Sequence, residues 1–413
     1  MSEHKVTRAE RRRAEREARK LLESTHFFNE FLRAMKKTGL VAEERNALVI
    51  LIVVVSRVLS RPLNVFVKGH SSAGKNWLVT RVLRLLPKSA VAEITSASDK
   101  AWNYSGSDFR HRVIYVQEQN EAAGTIDPIR LLISEGKLVR IVPRWEGGQI
   151  VTKRHVARGP VAAISTTTRN RLKIDDETRH ISIWVDESND QTRRIVRSYT
   201  QDAESLSRED RMTWRMVHLL LESRIGVKVD FPKWFDEVPN CLFVDDLGVR
   251  RYYPAFVEAC RTICIIRSFQ SSRRFSKHGR LQMDFADYAI TALIFDPVFV
   301  ESLRLGKAAG EGTRRLVEEL HAENKRPVRA KDLAHKLKCS MDQAYSKLRY
   351  AETVGVIRRA NKPEKSNRKT FLPTPRPRFV PDPEKLFRKL KHHGTVRFIH
   401  PLTGERVVYR HEK

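Results

Sequence analysis

The sequence predicts an α/β core followed by a smaller α+β domain, and three observations carry that prediction. The apolar run Asn64–Lys68 passes into a glycine-bounded loop, Gly69 to Asn76, and then into the helix-spaced segment Trp77–Leu86, which Pro87 ends. Two further apolar runs of strand length, Arg112–Glu118 and Val161–Thr168, follow in series. Towards the C-terminal end, the helical stretches Glu311–Asn324, Ala330–Leu337 and Met341–Val354 precede the short strands Val356–Arg359 and Thr370–Leu372.

The first observation is a strand, loop and helix of the kind that binds phosphate. Gly69 and Gly74 let backbone N–H groups turn inward, Ser71, Ser72 and Ala73 lie between them, and Lys75 reaches the β- and γ-phosphates from the helix N-terminus. ATP and Mg²⁺ are the expected cofactors. Where the pattern asks for Ser or Thr on the metal, Asn76 offers an amide oxygen, a poorer ligand for a hard cation.

The second observation extends the site. Arg112–Glu118 ends on a carboxylate, where a nucleotide hydrolase places its water-activating base. Glu118 is the expected base and Glu121 its stand-in, while Gln117 occupies the position of a metal-holding Asp and is the second expected metal contact. Val161–Thr168 ends in hydroxyls suited to orienting a water near the γ-phosphate, and Glu177-Thr178-Arg179 presents an arginine just before another strand, Ile181–Asp186. Between Glu118 and Val161, Lys137–Val142 and Gln149–Arg154 alternate around a Gly-Gly turn and predict a β-hairpin. Arg140, Arg144, Trp145, Lys153 and Arg154 on this hairpin suit a phosphate backbone, with the indole available for stacking.

Composition narrows the class. With 413 residues, of which 41% are hydrophobic, the chain has room for two or three domains. Lys and Arg number 78 against 49 Asp and Glu, a formal net charge of +29, which points to a nucleic-acid partner. The longest apolar run, Ala47–Val55, is too short to span a bilayer and predicts a buried core helix. The basic start is not followed by the apolar stretch of a secretory signal. Four scattered cysteines, with Cys260 and Cys264 one helical turn apart, predict no disulfide frame or zinc site, so a cytoplasmic location is expected.

In this order (phosphate loop, carboxylate-ended strand, hairpin, hydroxyl-ended strand, arginine before a strand), residues Leu40 to Leu305 resemble an AAA+ ATPase of the branch with a hairpin before sensor 1. The likeness is to MCM-like helicases and to the helicase-like ATPases attached to primases of phages, plasmids and integrated elements. The resemblance implies an AAA+ P-loop core with a helical lid. It places Gly69, Gly74, Lys75 and Asn76 in Walker A, Gln117 and Glu118 in Walker B, Thr167 at sensor 1 and Arg179 at the arginine finger. Arg251, with Arg250 second, falls at sensor 2, in the segment Val249–Phe256. It implies a homo-oligomer, a hexameric ring with ATP between subunits and single-stranded DNA in the pore, and a primase or other replication partner.

The C-terminal pattern of three helices and two strands predicts a winged helix, with Gln343, Tyr345, Ser346, Lys347 and Arg349 on its third helix facing duplex DNA. Lys362, Lys365, Arg368 and Lys369 would lie on the wing. The organisation expected is a charged helical arm over 1–39, the ATPase core over 40–230, the lid over 231–308, the winged helix over 309–373 and a basic tail over 374–413. The function expected is an ATP-dependent DNA helicase or translocase. The alternative is a nucleotide-gated DNA-binding adaptor, loader or regulator with little hydrolysis, which the departures at Asn76 and Gln117 favour.

Overall fold

The computed structural model describes residues 7–94, 108–117, 126–146, 149–169, 172, 174–177, 179–199, 205–242, 248–273, 275–303, 308–353, 356–360, 369–373, 378–390 and 394–410. The chain divides into two compact units, Met1–Phe299 with Val380–Lys413, and Val300–Phe379. Glu118, Glu121, Gly147, Gly148, Thr178, Lys362, Lys365 and Arg368 lie outside the described residues.

The first unit opens with α1 (Arg8–Glu23), held at its start by reciprocal hydrogen bonds between Thr7 and Glu10. The sequence reads as an exposed helix because Arg and Glu alternate along it, and Arg19–Glu15 and Lys20–Glu17 do pair on the solvent side. Its small residues form a second face, however: Ala14, Ala18 and Leu22, four apart, are buried. Helix α2 (Phe27–Lys37) places Phe27 and Phe31 on Trp214, with ring centroids 5.8 and 5.7 Å away. In α3 (Glu44–Ser56) every residue from Ala47 to Ser56 is buried, as expected of a core helix.

The core follows in the order β1 (Asn64–Lys68), α4 (Lys75–Leu83), β2 (Val91–Ile94), β3 (Arg112–Val116), α5 (Ile126–Glu135), β4 (Lys137–Glu146) and β5 (Gln149–Arg158). It continues through β6 (Val161–Thr167), α6 (Ile174–Glu177), β7 (Ile181–Trp184), α7 (Asn189–Ser198) and α8 (Arg208–Glu222). Five of the strands form a parallel sheet in the order β2-β3-β6-β1-β7. All of β1 and β6 is buried, which is why these strands are continuous apolar runs in the sequence. From β1 the chain crosses to the far edge of the sheet, and β7 later lies on the other side of β1, so the loop after β1 opens at a topological switch point. Strands β4 and β5 pair with each other over ten residues, and the end of β5 adds a single bridge from Arg158 to Asp108.

Beyond α8, the short parallel pair β8 (Val229–Asp230) and β9 (Leu281–Gln282) accompanies α9 (Val249–Ile266) and α10 (Phe285–Leu303). The end of α9 is tied to the start of α10 by Arg267 and Arg273 on Asp284 and Asp287, with Arg267–Asp284 at 2.8 Å and Arg273–Asp287 at 2.7 Å. Asp287 is fully buried, so the arrangement depends on both arginines.

The second unit holds α11 (Ala308–Asn324), β10 (Val328–Arg329), α12 (Ala330–Leu337), α13 (Met341–Thr353), β11 (Ile357–Arg359) and β12 (Thr370–Pro373). The strands form an antiparallel sheet in the order β10-β12-β11. Val317, Leu333, Leu348, Ile357 and Phe371 lie in its core.

The segment after residue 379 returns to the first unit as α14 (Pro383–Lys389), β13 (Thr395–Ile399) and β14 (Arg406–Arg410). The sequence sets this stretch apart as a tail behind a Pro-rich linker. Its described part instead packs through an aromatic cluster, with Phe285–Phe387 at 5.4 Å, Phe387–Tyr409 at 5.9 Å and Phe398–Tyr409 at 5.6 Å. Hydrogen bonds from Tyr288 to the Pro381 carbonyl (2.7 Å) and from the Val380 amide to Asp296 (2.9 Å) fix its start. Asn29 donates to the carbonyls of His400 and Pro401 at the turn. Among the described residues no helix is long and apolar enough to cross a membrane.

Candidate functional site

The loop between β1 and α4 has the backbone its glycines require. At Gly69 φ is +153°, and an added Cβ would lie 2.5 Å from Val185 Cγ2 and 2.8 Å from Glu187 Oε1, so any side chain there collides. Ser72 (φ +66°) and Gly74 (φ +87°) are left-handed, and Gly74 caps α4. Alternating handedness of this kind turns N–H groups towards a common concavity. Lys75 is buried, and its ammonium donates to the carbonyls of Gly69 (2.8 Å) and His70 (2.5 Å).

Asn76 is the point at which the loop meets the sheet. Its Oδ1 accepts from Thr166 Oγ1 on β6 (2.7 Å) and from the Tyr115 hydroxyl on β3 (3.3 Å). A carbonyl oxygen has two lone pairs, and both are directed to hydroxyls. Direct coordination of Mg²⁺ by Asn76, expected from its position, therefore does not fit unless a hydroxyl lets go. Gln117 does not complete such a site either, because its amide donates to Glu93 on β2 (2.6 Å). Among the described residues no group of three or more His, Cys, Asp or Glu side chains is placed to hold a metal ion. Thr167, the residue expected to sense nucleotide, is buried on the opposite face of β6 from Thr166 and accepts from the Arg169 amide (3.1 Å).

A second network lies on that opposite face. Register places Lys68, the last residue before Gly69, between Thr167 and Trp184. The Lys68 side chain is fully buried and pairs with Glu177, with Trp184 5.2 Å from the ammonium. Burial lowers the Lys68 pKa, and Glu177 opposes that shift. Three residues on, His180 stacks on Phe66 (4.0 Å) and shares a hydrogen bond with the Asp176 carbonyl (2.8 Å). Burial pushes its pKa down to about 4, helped by the charges of Arg179 and Lys68. Arg179 is half-buried, and its Nε donates to Ser134 on α5 (3.0 Å), while Arg130 of the same helix holds Asp176 (2.8 Å). The turn bearing Arg179 is thus fastened to the residue that precedes the loop.

Glu187, just past β7, lies against the loop. Its carboxylate accepts from the His70 amide and pairs with the His70 ring. Burial raises its pKa, but these bonds and the Lys75 charge outweigh it and hold the carboxyl below its ordinary value.

The remaining expected residues are spread over the molecule. Arg250 and Arg251 are exposed on the first turn of α9. On the hairpin, pairing of Trp145 with Ile150 and of Ile141 with Arg154 defines one face, while Val142–Lys153 and Arg144–Val151 define the other. The sequence groups Arg144, Trp145, Lys153 and Arg154 as one grip; alternation along the strands divides them, with Trp145 and Arg154 on one face and Lys153 on the other. Trp145 is 70% exposed, and Ile141 and Ile150 beside it are 66% and 63% exposed. On α13, Gln343, Ser346, Lys347 and Arg349 are exposed while Ala344, Leu348 and Ala351 are buried. Tyr345 is half-buried against the core, with Lys369 5.8 Å from its ring.

Tyr115, Thr166, Lys68, Glu177 and Glu187 were not singled out from the sequence. A polar residue inside an otherwise apolar strand is the signal that marks the first three, since a buried polar group needs a partner.

No family model and no curated protein matches the chain. Among solved structures it is similar to a full-length MCM homolog from Methanopyrus kandleri, at 11% identity and a TM-score of 0.43, covering 73% of this chain and 64% of that one. It is also similar to the active SCCmec type IV Cch helicase, at 11% identity and a TM-score of 0.31, covering 78% and 66%. The chain thus spans about two thirds of the length of each.

Proposed function

We propose that this chain is an AAA+ ATPase of the MCM-like branch, an ATP-driven motor that moves along or opens DNA. It would act as a homo-oligomeric, hexameric ring in the replication of a phage, plasmid or integrated element, with a primase or another replication protein as partner. The observation that carries this reading is the convergence of Lys75 and Asn76 with Thr166 and Tyr115 at the C-terminal end of the central sheet. The residue beside the phosphate-reaching lysine is wired to the two strands on which a water-activating group and its sensor would stand.

In this reading MgATP is the substrate, and its ion is carried by the phosphates. Lys75 exchanges its bonds to the Gly69 and His70 carbonyls for the β- and γ-phosphates, which the loop amides from Gly69 to Asn76 surround. Glu118, one residue beyond Gln117, takes a proton from the attacking water, and Thr167 or its neighbour Thr166 orients it. Arg179 stabilises charge on the nucleotide of the adjacent subunit, and Arg251, with Arg250 beside it, approaches from the lid. The hairpin holds single-stranded DNA in the pore through Trp145, Arg154, Arg144 and Lys153. The second unit, read as a winged helix, contacts duplex through Lys347, Arg349 and Lys365.

The test is a pair of nucleotide-binding measurements and a mixing experiment. Lys75→Ala is expected to abolish ATP binding while Glu118→Gln leaves it intact; equal defects would remove Glu118 from the role of base. Protomers carrying Arg179→Ala, mixed with Lys75→Ala protomers, are expected to regain activity at interfaces that pair an intact loop with an intact arginine. No recovery at any ratio contradicts a finger acting between subunits.

One arrangement favours the second reading, a nucleotide-gated adaptor, loader or regulator. Asn76 and Gln117 are both engaged within the protein, and Glu187 sits on the loop. Binding without turnover follows if these contacts persist when nucleotide is bound.

A further inference from the structure

The C-terminal ribbon β13–β14 has two chemically distinct faces. Pairing of Val396 with Tyr409 and of Phe398 with Val407 defines the inner face, where Phe398 is buried and Tyr409 joins the aromatic cluster with Phe387. The outward face follows from alternation: Thr395 opposite Arg410, Arg397 opposite Val408, and Ile399 opposite Arg406. Arg397, Arg406 and Arg410 are all exposed, and none has a hydrogen-bond or ion-pair partner among the described residues. Elsewhere on this segment two basic side chains are matched, Arg388 by Glu384 and Lys389 by Glu237. Three uncompensated guanidinium groups therefore share one face of a ribbon that is fixed from behind by aromatic packing and at its turn by Asn29.

We infer that this outward face is a docking site for duplex DNA, separate from the hairpin β4–β5 and from the second unit. Its shape and charge both favour that occupant. Neighbouring strands lie about 4.8 Å apart, and the major groove of B-form DNA, about 12 Å wide, admits a two-stranded ribbon with its side chains. Residues two apart on one strand are separated by about 6.8 Å, twice the axial rise of about 3.4 Å per phosphate of one DNA strand. Arg406, Val408 and Arg410 thus keep step with the duplex, with Arg397 across from the middle position. Arginine serves both phosphate and guanine edges, and Val408 offers an apolar contact to a thymine methyl group. The A-form major groove of double-stranded RNA is too narrow to admit side chains in this way.

The inference shares a DNA partner with the proposed function but does not depend on the motor, so the test uses the full chain without nucleotide. Binding of a labelled B-form duplex, the same sequence as double-stranded RNA, and single-stranded DNA is measured at several salt concentrations. The variant Arg397→Gln/Arg406→Gln/Arg410→Gln is expected to bind duplex DNA at least tenfold more weakly near 0.1 M salt, with a loss on double-stranded RNA at least threefold smaller. Val408→Glu, at a position already 37% exposed, places a carboxylate between Arg406 and Arg410 and should also weaken duplex binding, whereas Val408→Thr should not. This pair keeps the test valid if the triple variant folds poorly. The ribbon-dependent loss should persist when Lys347, Arg349 and Lys365 are neutralised. Duplex affinity within twofold of the parent, as for a face that meets an acidic protein instead, overturns the inference. Equal losses on all three nucleic acids overturn it too. Ribbon-dependent binding in a protein that shows no DNA-stimulated hydrolysis would contradict the motor and leave the ribbon standing.

Discussion

The two faces of the central sheet meet the same loop with different chemistry. On one, Asn76 is held by the hydroxyls of Thr166 and Tyr115, a pair of neutral hydrogen bonds worth about 1 kcal/mol each. On the other, Lys68 and Glu177 form a buried ion pair that ties the strand entering the loop to the turn carrying Arg179. Neutral contacts can be exchanged for a ligand at small cost, whereas separating a buried pair strands a charge. The first face is thus suited to change with the nucleotide, and the second to hold Arg179 steady while it does so.

The largest effect should come from breaking the second face. Glu177→Gln removes the negative charge that faces the buried Lys68 ammonium and is expected to destabilise the protein by about 3–5 kcal/mol in urea unfolding, while Lys68→Met/Glu177→Leu, which removes both charges, costs far less. Asn76→Ala, which removes only neutral hydrogen bonds, is expected to cost about 1–2 kcal/mol. Equal losses for Glu177→Gln and Asn76→Ala would erase the distinction between the faces.

A pH series sharpens it. The folded-state pKa of His180, about 4, lies below an unfolded value of roughly 6.5, so the unfolded chain binds the extra proton between them. The stability contribution is present above about pH 6.5 and is lost as the pH falls towards 4, by at most about 1.4 kcal/mol per pH unit. His218, pushed by burial to about 3 with the Arg57 charge assisting, acts in the same direction. Urea midpoints should fall over that window, and His180→Phe should flatten the slope; an unchanged slope would mean that His180 is not held neutral.

The smallest effect belongs to Glu187, whose carboxylate occupies donors on the loop. Glu187→Gln removes a negative charge from the approach of the phosphates and is expected to tighten ATP binding several-fold, about 1 kcal/mol. Weaker binding would make Glu187 a support of the loop instead of a competitor.

Much of this was legible in the chain. Gly69, Gly74 and Lys75 declare the loop because the backbone there tolerates few alternatives, and the continuous apolar runs declare the buried parallel strands. The partners of Asn76 and Lys68 were not legible, because they come from strands and a short helix more than 35 residues away in sequence and depend on the order in which the sheet is assembled. The ribbon β13–β14 turns at Thr403-Gly404-Glu405, a hairpin signal in the sequence, but its packing is hidden there, since the aromatic residues that receive it lie on α10 and α14. The division of the hairpin β4–β5 into two faces follows from strand alternation once the register is known.

Steady-state ATP hydrolysis, measured with and without single-stranded DNA and against Lys75→Ala as background, tests the motor most directly. The account predicts turnover above that background, rising with DNA, and lost when Arg144, Lys153 and Arg154 are neutralised together. Hydrolysis no faster than in Lys75→Ala, with or without DNA, in a protein that still binds ATP would contradict the motor and leave a nucleotide-gated DNA-binding adaptor in its place.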